Sequence, residues 1–472
     1  MTRFMSPRRL IRAGAVAIAP AAIAALAVSS SVLAEAWNTG TGGNSTRDGR
    51  SQYVGPSSPD LLWEGGLPAI VAQQAVIDGD IMVVSRIETF DIPTGTWIVA
   101  HNLYTGAILW QTQLPYDFPG ESWRSKTSAI RNGHVYATRA GNTNEDYLYA
   151  LDVNDGNVII WQSEDLIDEA TTESLAFAEN DDLIVGNFNS VMRIDRDDGT
   201  TVWSTPRTCP TSNGAEAAVF GDRVYLWEAG GAGPKVSAFD IDTGDYLYSS
   251  AGIGGGYIQQ LGLFVGPDGT IYAPRTQNNP VTDYFVALRD TGTAFEEKWR
   301  QPMGYVPFAS HAIGPDGTVY TYSPELEVMR LDPATGDVLD LSFPLKDNSP
   351  RMAIDARGTV FVTNGGFDEG EFHSFNADLT ERWTVPLYRV NLGGPAVGPG
   401  GIVIVCGVGD DVRAYKSCRA DFDGDGAVNT ADLLRLLSVW GSTEGLEDLD
   451  GDGLVNTADL LDLLAAWGEC PL

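Results

Sequence analysis

Residues 421–432 read DFDGDGAVNTAD and residues 448–459 read DLDGDGLVNTAD. Clustered carboxylates at alternate positions bind hard cations. A calcium loop needs oxygen donors at positions 1, 3, 5, 7, 9 and 12, the seventh being a main-chain carbonyl, with Gly at position 6 for the turn. The first segment supplies Asp421, Asp423, Asp425, the Ala427 carbonyl, Asn429 and Asp432, around Gly426. The second supplies Asp448, Asp450, Asp452, the Leu454 carbonyl, Asn456 and Asp459, around Gly453. All-oxygen sets at this spacing suit two Ca²⁺ ions better than Mg²⁺, which keeps more of its waters. Without metal the carboxylates repel, so the region is expected to need the ion to fold. Asp in the twelfth position reaches less far than Glu and requires a close backbone approach.

Each loop must be positioned by the short helix it runs into. Leu433, Leu434, Leu436, Leu437 and Trp440 share one broad helical face, and Leu460, Leu461, Leu463, Leu464 and Trp467 repeat it. The expectation is that the two stripes bury each other. Cys418 and Cys470 bracket the pair, a plausible disulfide staple in an oxidising compartment. Cys406 sits in a strand-like GIVIVC run, and Cys209 has no evident partner. The loop–helix pair over 418–472 resembles a type I dockerin, a module that attaches extracellular proteins to cohesin partners. The resemblance carries the calcium residues over one by one. The family's Ser-Thr before the last loop Asp is here Thr430-Ala431 and Thr457-Ala458, and its basic pair is reduced to Arg435.

The preceding 360 or so residues repeat another pattern. A tight hairpin recurs as QAVIDGDIMVV (74–84), SAIRNGHVYAT (128–138), LAFAENDDLIVG (175–186), AAVFGDRVYLW (217–227), LGLFVGPDGTIYA (261–273), HAIGPDGTVYTY (311–322), MAIDARGTVFVT (352–363) and PAVGPGGIVIVC (395–406). A second hairpin follows, clearest in ALDVNDGNVIIW (150–161), RIDRDDGTTVW (193–203) and AFDIDTGDYLY (238–248). It ends on Trp110, Trp161, Trp203, Tyr248, Trp299 or Trp383, with Asp340 breaking the series. Four antiparallel strands per repeat of this length form a propeller blade. The eighth repeat stops near residue 417 without its outer strand, and an unattached strand with Trp63 lies at 58–66. The fold class expected is therefore all-β, an eight-bladed β-propeller closed by the N-terminal strand, plus a small all-α dockerin-like domain with paired calcium loops. The domains expected are a leader (1–34), an N-terminal linker (35–57), the propeller (58–417) and the tail (418–472). The ALDxxTGxxxW repeat resembles the tryptophan-docking repeat of the quinoprotein-like, or PQQ-like, β-propellers. That resemblance implies the fold. The superfamily includes quinone-dependent dehydrogenases and also outer-membrane assembly scaffolds without an active site.

For catalysis the chain offers little. The adjacent cysteine pair found in many quinone dehydrogenases is missing, and the four histidines, His101, His134, His311 and His373, are dispersed. Gln73, Thr127, Ser174, Glu216, Gln260, Ser310, Arg351 and Gly394 stand two before each hairpin's apolar pair and are expected to ring one channel mouth. No catalytic residue and no propeller-bound cofactor is assigned. The net charge of −33 excludes nucleic acid as a natural partner and favours cations. Arg3, Arg8, Arg9 and Arg12, the run AGAVAIAPAAIAALAV and small residues up to Ala34 read as a secretory signal, and no membrane span is expected after its cleavage. The reading is a secreted, periplasmic or cell-surface, non-enzymatic scaffold tethered to an extracellular protein, cohesin-like or a cell-surface component. Two alternatives stay open at this point: a carbohydrate-binding or polysaccharide-degrading protein, and a PQQ-dependent dehydrogenase.

Overall fold

The computed structural model describes residues 37–471, except 67, 92–93, 117–124, 141–144, 169–174, 210–215, 255–261, 280, 282, 366–368, 391, 410 and 444. The expected leader, Ser174 and Gln260 lie outside the described residues.

Eight four-stranded antiparallel sheets follow one another along the chain. The first consists of Val76–Asp78, Ile81–Ile87, Thr96–Asn102 and Ile108–Thr112 in that order. The eighth consists of Ala396–Gly398, Ile402–Cys406 and Val412–Tyr415, with Leu61–Gly65 as its outer strand. In that last pairing Trp63 stands opposite Ala414. A strand from before the first blade thus completes the eighth.

The blade repeat has a physical cause at each position. The Asp that opens the second hairpin's turn accepts backbone N–H groups two and three residues on. Asp240 Oδ1 takes those of Asp242 (3.0 Å) and Thr243 (2.9 Å), and Asp332 Oδ1 takes those of Ala334 (2.8 Å) and Thr335 (2.9 Å). Beside each terminal Trp the pairing of the two outer strands slips. The register shifts between Ala150 and Leu151 next to Trp161, between Arg193 and Ile194 next to Trp203, and between Ala287 and Leu288 next to Trp299. A bulge here turns the indole out of its own sheet toward the next blade. Indole N–H groups then donate across the seams: Trp63 to the Leu103 carbonyl (2.8 Å), Trp110 to Val153 (2.8 Å), Trp161 to Arg196 (2.9 Å), Trp203 to Ile241 (3.0 Å) and Trp299 to Pro333 (3.0 Å). The turn Gly must let the ring in, since a Cβ at Gly156 would lie 2.2 Å from the Trp110 ring. Tyr248 replaces the indole by donating its hydroxyl to Asp290 (2.6 Å). Asp340 instead pairs with Arg330 of its own blade (2.9 Å), and the buried Trp383 N–H makes no such bond. The apolar clusters straddle blades; Tyr136, Trp161, Phe177, Leu183 and Met192 pack as one.

Residues 35–57, expected as a linker, are different in their described part. From Trp37 onward the segment runs along the inner strands of all eight blades. The Trp37 carbonyl accepts from Ile77 N–H (2.6 Å), Asn38 from Ile130 (2.8 Å), Ser45 from Val219 (2.8 Å), Thr46 from Val265 (2.8 Å), Asp48 from Ile313 (2.8 Å) and Gly49 from Ile354 (2.8 Å). The Ser45 hydroxyl accepts from Phe177 N–H (2.9 Å), and that of Ser51 donates to the Val397 carbonyl (3.1 Å). These are equivalent positions in the eight inner strands. The segment is therefore a strap lying on the free strand edges that face the propeller axis, and Trp37, Thr39, Arg47 and Ser51 are buried in it. Its main-chain carbonyls satisfy the edge N–H groups that would otherwise be left unpaired.

The tail has two helices, α1 (Thr430–Ser438) and α2 (Thr457–Ala465), and a two-stranded pairing of Ala427–Val428 with Gly468–Glu469. Cys418 and Cys470 are joined as a disulfide with Cα atoms 5.9 Å apart. The expected mutual burial of the leucine stripes is only partly realised. Leu436 and Leu463 are fully buried, whereas Leu434 (62%) and Leu461 (62%) are largely exposed, as are Leu437, Trp440, Leu464 and Trp467 to a lesser degree. Nine-residue helices are too short for one to cover the other's full apolar arc.

Candidate metal centre and central cavity

Both acidic loops fold onto themselves through their own backbone. In the first, Asp421 accepts from Gly424 N–H (2.7 Å) on one oxygen and Gly426 N–H (2.9 Å) on the other. Asp432 bridges Phe422 N–H (2.7 Å) and Asn429 N–H (2.8 Å). The second loop repeats this: Asp448 takes Gly451 and Gly453 (both 2.9 Å), and Asp459 takes Leu449 and Asn456 (both 2.7 Å). One carboxylate oxygen from each of Asp421, Asp423 and Asp432 lies within 4.8 Å of the others, and the same holds for Asp448, Asp450 and Asp459. The remaining positions are placed differently. Asp425 and Asp452 accept from Ala427 and Leu454 N–H (2.8 and 2.9 Å). The Asn429 and Asn456 oxygens cap α1 and α2 by accepting from Ala431 and Ala458 N–H (both 2.8 Å), while their amide groups face the Ala427 and Leu454 carbonyls. With Asp432 and Asp459 these asparagines complete capping boxes, so positions 9 and 12 of each loop also start a helix. The converging hard oxygens form a set that fits Ca²⁺; the sulfurs beside Asp421 belong to the Cys418–Cys470 disulfide and are not available as thiolate ligands.

The surroundings of the two loops differ. Lys416, at the end of the propeller, is buried and donates its ammonium to the carbonyls of Gly400 and Asp421. Arg357 donates to the Gly426 carbonyl (2.8 Å) and Glu469 (2.9 Å), Arg435 to the Phe422 carbonyl (2.9 Å), and Val54 N–H to the Gly424 carbonyl (2.9 Å). Burial pushes the Asp421 carboxyl up to about 6, opposed by the Lys416 charge. Among the described residues, no side chain from outside the loop donates to a carbonyl of 448–453. Sequence reasoning missed Lys416, Arg357 and Val54: Arg357 sits in the turn of the 352–363 hairpin, and nothing in the blade pattern marks any of the three as reaching the tail.

On the propeller axis, Glu216 and Arg351 of the expected polar ring meet the strap, and the other described members bond or pack against the blades. Glu216 pairs with Arg47 at 2.6 Å, with both side chains buried. Arg351 donates to Thr41 (2.8 Å), Thr127 meets Ser85 (3.0 Å), and Ser310 bonds the backbone of Met352. Gln73 is buried, and Gly394 packs against Gln74 and Arg351. Among the described residues, a cavity of about 20 Å³ remains here, lined by Thr41, Arg47, Glu216, Ser310, His311 and Arg351 among others, which is room for about one water. His311 stacks on Phe264 with ring planes 7° apart, and burial pulls its pKa down to about 3. It is thus a neutral ring in an aromatic nest. The other histidines sit in different blades. His101 stacks on Trp63, His134 meets the Tyr136 hydroxyl (3.3 Å), and His373 meets the Thr384 hydroxyl (2.8 Å). Cys406 is buried in its strand, its thiol pushed up to about 11 by desolvation. No described helix is long and apolar enough to cross a membrane.

The similarities to known proteins follow this architecture. Among solved structures, a europium-containing methanol dehydrogenase shares 14% identity, with 80% of this chain and 90% of that one covered and a TM-score of 0.57. The C-terminal WD40 domain of Sif2 shares 10% identity, covering 76% and 99%, at a TM-score of 0.54. BamB from Moraxella catarrhalis shares 16% identity, covering 70% and 93%, at a TM-score of 0.43. At such identities the first two likenesses speak to the fold alone. No curated protein matches the chain. The family described as outer membrane protein assembly factor BamB matches residues 94–339, more than half of the sequence, and the chain belongs to that family.

Proposed function

We propose that this protein is a non-enzymatic binding or scaffold propeller that works outside the cytoplasm, carrying a dockerin-like tail that holds two calcium ions. The observation that carries the scaffold reading is the strap. The space on the propeller axis, where a substrate or quinone would be sought, is occupied by residues 37–51 hydrogen-bonded to all eight inner strands. Among the described residues, an axis occupied by the chain's own strap leaves the outer blade surfaces and the tail for recognition. The family's assembly factors and the sequence's secretory leader support a periplasmic or cell-surface location.

In the tail, Asp421, Asp423 and Asp432 would hold one ion and Asp448, Asp450 and Asp459 the other. Asp425, Asp452 and the Ala427 and Leu454 carbonyls complete the sets, and positions 9 act through water because the Asn429 and Asn456 oxygens cap helices. A bound ion neutralises each carboxylate cluster and rigidifies the helix start it adjoins. The exposed Leu434, Leu437, Trp440, Leu461, Leu464 and Trp467 then offer an apolar face to an extracellular protein partner.

The test is native mass spectrometry of the mature chain in calcium, then in chelator. Two ions per chain are expected, falling to one in Asp421→Asn or Asp448→Asn. A chain that binds no calcium at millimolar supply overturns the metal reading. Quinone-dependent dye reduction by the reconstituted protein overturns the scaffold reading.

A further inference from the structure

The strap leaves the propeller axis where the tail docks. After Ser51 it passes Tyr53, whose carbonyl accepts from Ala356 N–H (3.0 Å), and Val54, whose N–H donates to the Gly424 carbonyl of the first acidic loop (2.9 Å). Gly55 N–H donates to the buried Asp355 carboxylate (2.9 Å), and Ser57 N–H to the Ser417 hydroxyl (2.9 Å). Residues 54–57, with Pro56 buried and the others half-buried, thus lie against blade 7, the Gly400–Gly401 turn of blade 8 and the first loop. Packing at this junction is backbone on backbone: a Cβ on Gly424 would lie 2.4 Å from the Gly401 nitrogen, and one on Gly401 would lie 2.1 Å from the Val54 carbonyl oxygen. Lys416 and Arg357 tie the same loop to the propeller from either side.

We propose that the first acidic loop is an intramolecular clamp: docked on the propeller, it pins the exit of the N-terminal strap and so keeps the strap on the inner edges of the eight blades. The surface involved is the one formed by Val54, Arg357, Gly400, Gly401 and Lys416, and its partner is the 421–428 backbone. This goes beyond the scaffold reading and does not depend on which ion the loop holds. It divides the tail's labour. The first loop is committed to the propeller, and the second loop, with the exposed apolar residues of both helices, is left for an outside partner.

The chain contains its own control. Gly424 and Gly451 are equivalent in the two loops and have the same left-handed backbone (φ +74° and +75°), so alanine strains both alike. Only Gly424 faces the propeller; a Cβ on Gly451 meets nothing within 4 Å. The experiment is peptide-level hydrogen exchange on the mature chain at fixed calcium, comparing wild type, Gly424→Ala and Gly451→Ala. The readouts are the dock (residues 53–57 and 399–402) and the strap-bonded amides of Ile77, Val219, Val265, Ile313 and Ile354.

In Gly424→Ala both sets should exchange about tenfold faster or more, and in Gly451→Ala neither should change. Arg357→Ala, which leaves the loop backbone alone, serves as a milder second opening and should speed both sets about threefold. Faster exchange at the dock with full protection at the inner strands overturns the proposal. So does an equal response to the two glycine variants, and so does an unchanged dock in Gly424→Ala.

Discussion

The first and second acidic loops are near-copies in sequence and nearly superimposable in internal hydrogen bonding, yet they occupy different physical environments. Asp421 is buried, Lys416 and Arg357 lean on its loop, and Val54 reaches into it. Asp448 is only half-buried, and Gly451 and Gly453 face open space, while Asp423 and Asp450 are exposed alike. The propeller shows the same contrast on a larger scale. Five indoles dock on the next blade through one N–H bond each, while Trp383 fills the equivalent place without one. A repeated sequence fixes a unit's internal geometry, and the neighbour decides what that geometry contributes.

The largest effect expected from this contrast is in the blades. Trp161→Ala removes a nearly buried indole, its bond to Arg196 and its packing in the Tyr136–Phe177 cluster. A cost of about 3–5 kcal/mol is expected in urea melts. Trp383→Ala loses packing against Phe372 and Tyr415 but no hydrogen bond, so it should cost about 1–2 kcal/mol less. Equal losses would show that the seam bond contributes nothing beyond burial.

Next is the disulfide. It closes a separation of 52 residues, worth about 4 kcal/mol on the chain-entropy model and less where other contacts already restrain the ends. Cys470 lies 3.6 Å from an Asp421 oxygen, and Gly468–Glu469 pairs with Ala427–Val428, so the crosslink braces the first loop. Replacing both cysteines by serine should cost about 2–4 kcal/mol and raise hydrogen exchange across 421–428 while leaving 448–455 as it was. Loosening of both loops alike would erase the distinction drawn between them.

Much of this was legible in residue types, for identifiable reasons. The eight hairpins, the aromatic series with its break at Asp340, and the acidic spacing all depend on local pattern, and local pattern is what a sequence displays. The Cys418–Cys470 staple was legible because the two residues flank one small unit. The strap was not. Its bonds to the blades come largely from main-chain carbonyls at Trp37, Asn38, Ser45, Thr46, Asp48 and Gly49, and any residue carries a carbonyl. Only the glycine-rich run NTGTGGNSTRDG beside a lone Trp37 hinted at tight quarters. The exposure of Leu434 and Leu461 was hidden for the opposite reason. An apolar stripe has the same period whether it faces a core or a partner.

The propeller body and the tail should also separate by pH. His311 is buried, and desolvation of its charged form lowers its pKa from the ordinary 6.5 to about 3. Its neutral form is the one the fold accommodates, so its contribution is complete above pH 6.5 and is lost as pH falls from there toward 3. Between pH 6.5 and 5 the loss should reach about 2 kcal/mol. His311→Phe keeps a ring against Phe264 and should flatten that slope; a variant with the wild-type slope would place the titration elsewhere.

The smallest effect isolates the neighbour most cleanly. Asn429 and Asn456 make the same cap, each accepting one N–H at 2.8 Å within a complete capping box. Alanine at either removes about 1 kcal/mol of local helix stability. The two loops lose the same contact, since both asparagine oxygens are committed to the helix. The difference lies in what each helix holds. α1 carries Arg435, which donates to Glu447 (2.6 Å) and to the Phe422 carbonyl and lies over Tyr104 of the first blade at 5.4 Å. Fraying α1 therefore loosens the docked loop, and Asn429→Ala should lower the midpoint of the cooperative thermal transition. Fraying α2 disturbs a helix that points Leu461 and Leu464 outward. Asn456→Ala should speed exchange in 457–465 with the midpoint held. Equal midpoint shifts in calcium would mean that the second helix is coupled to the propeller as tightly as the first, and the division of the tail into an inward and an outward half would not stand.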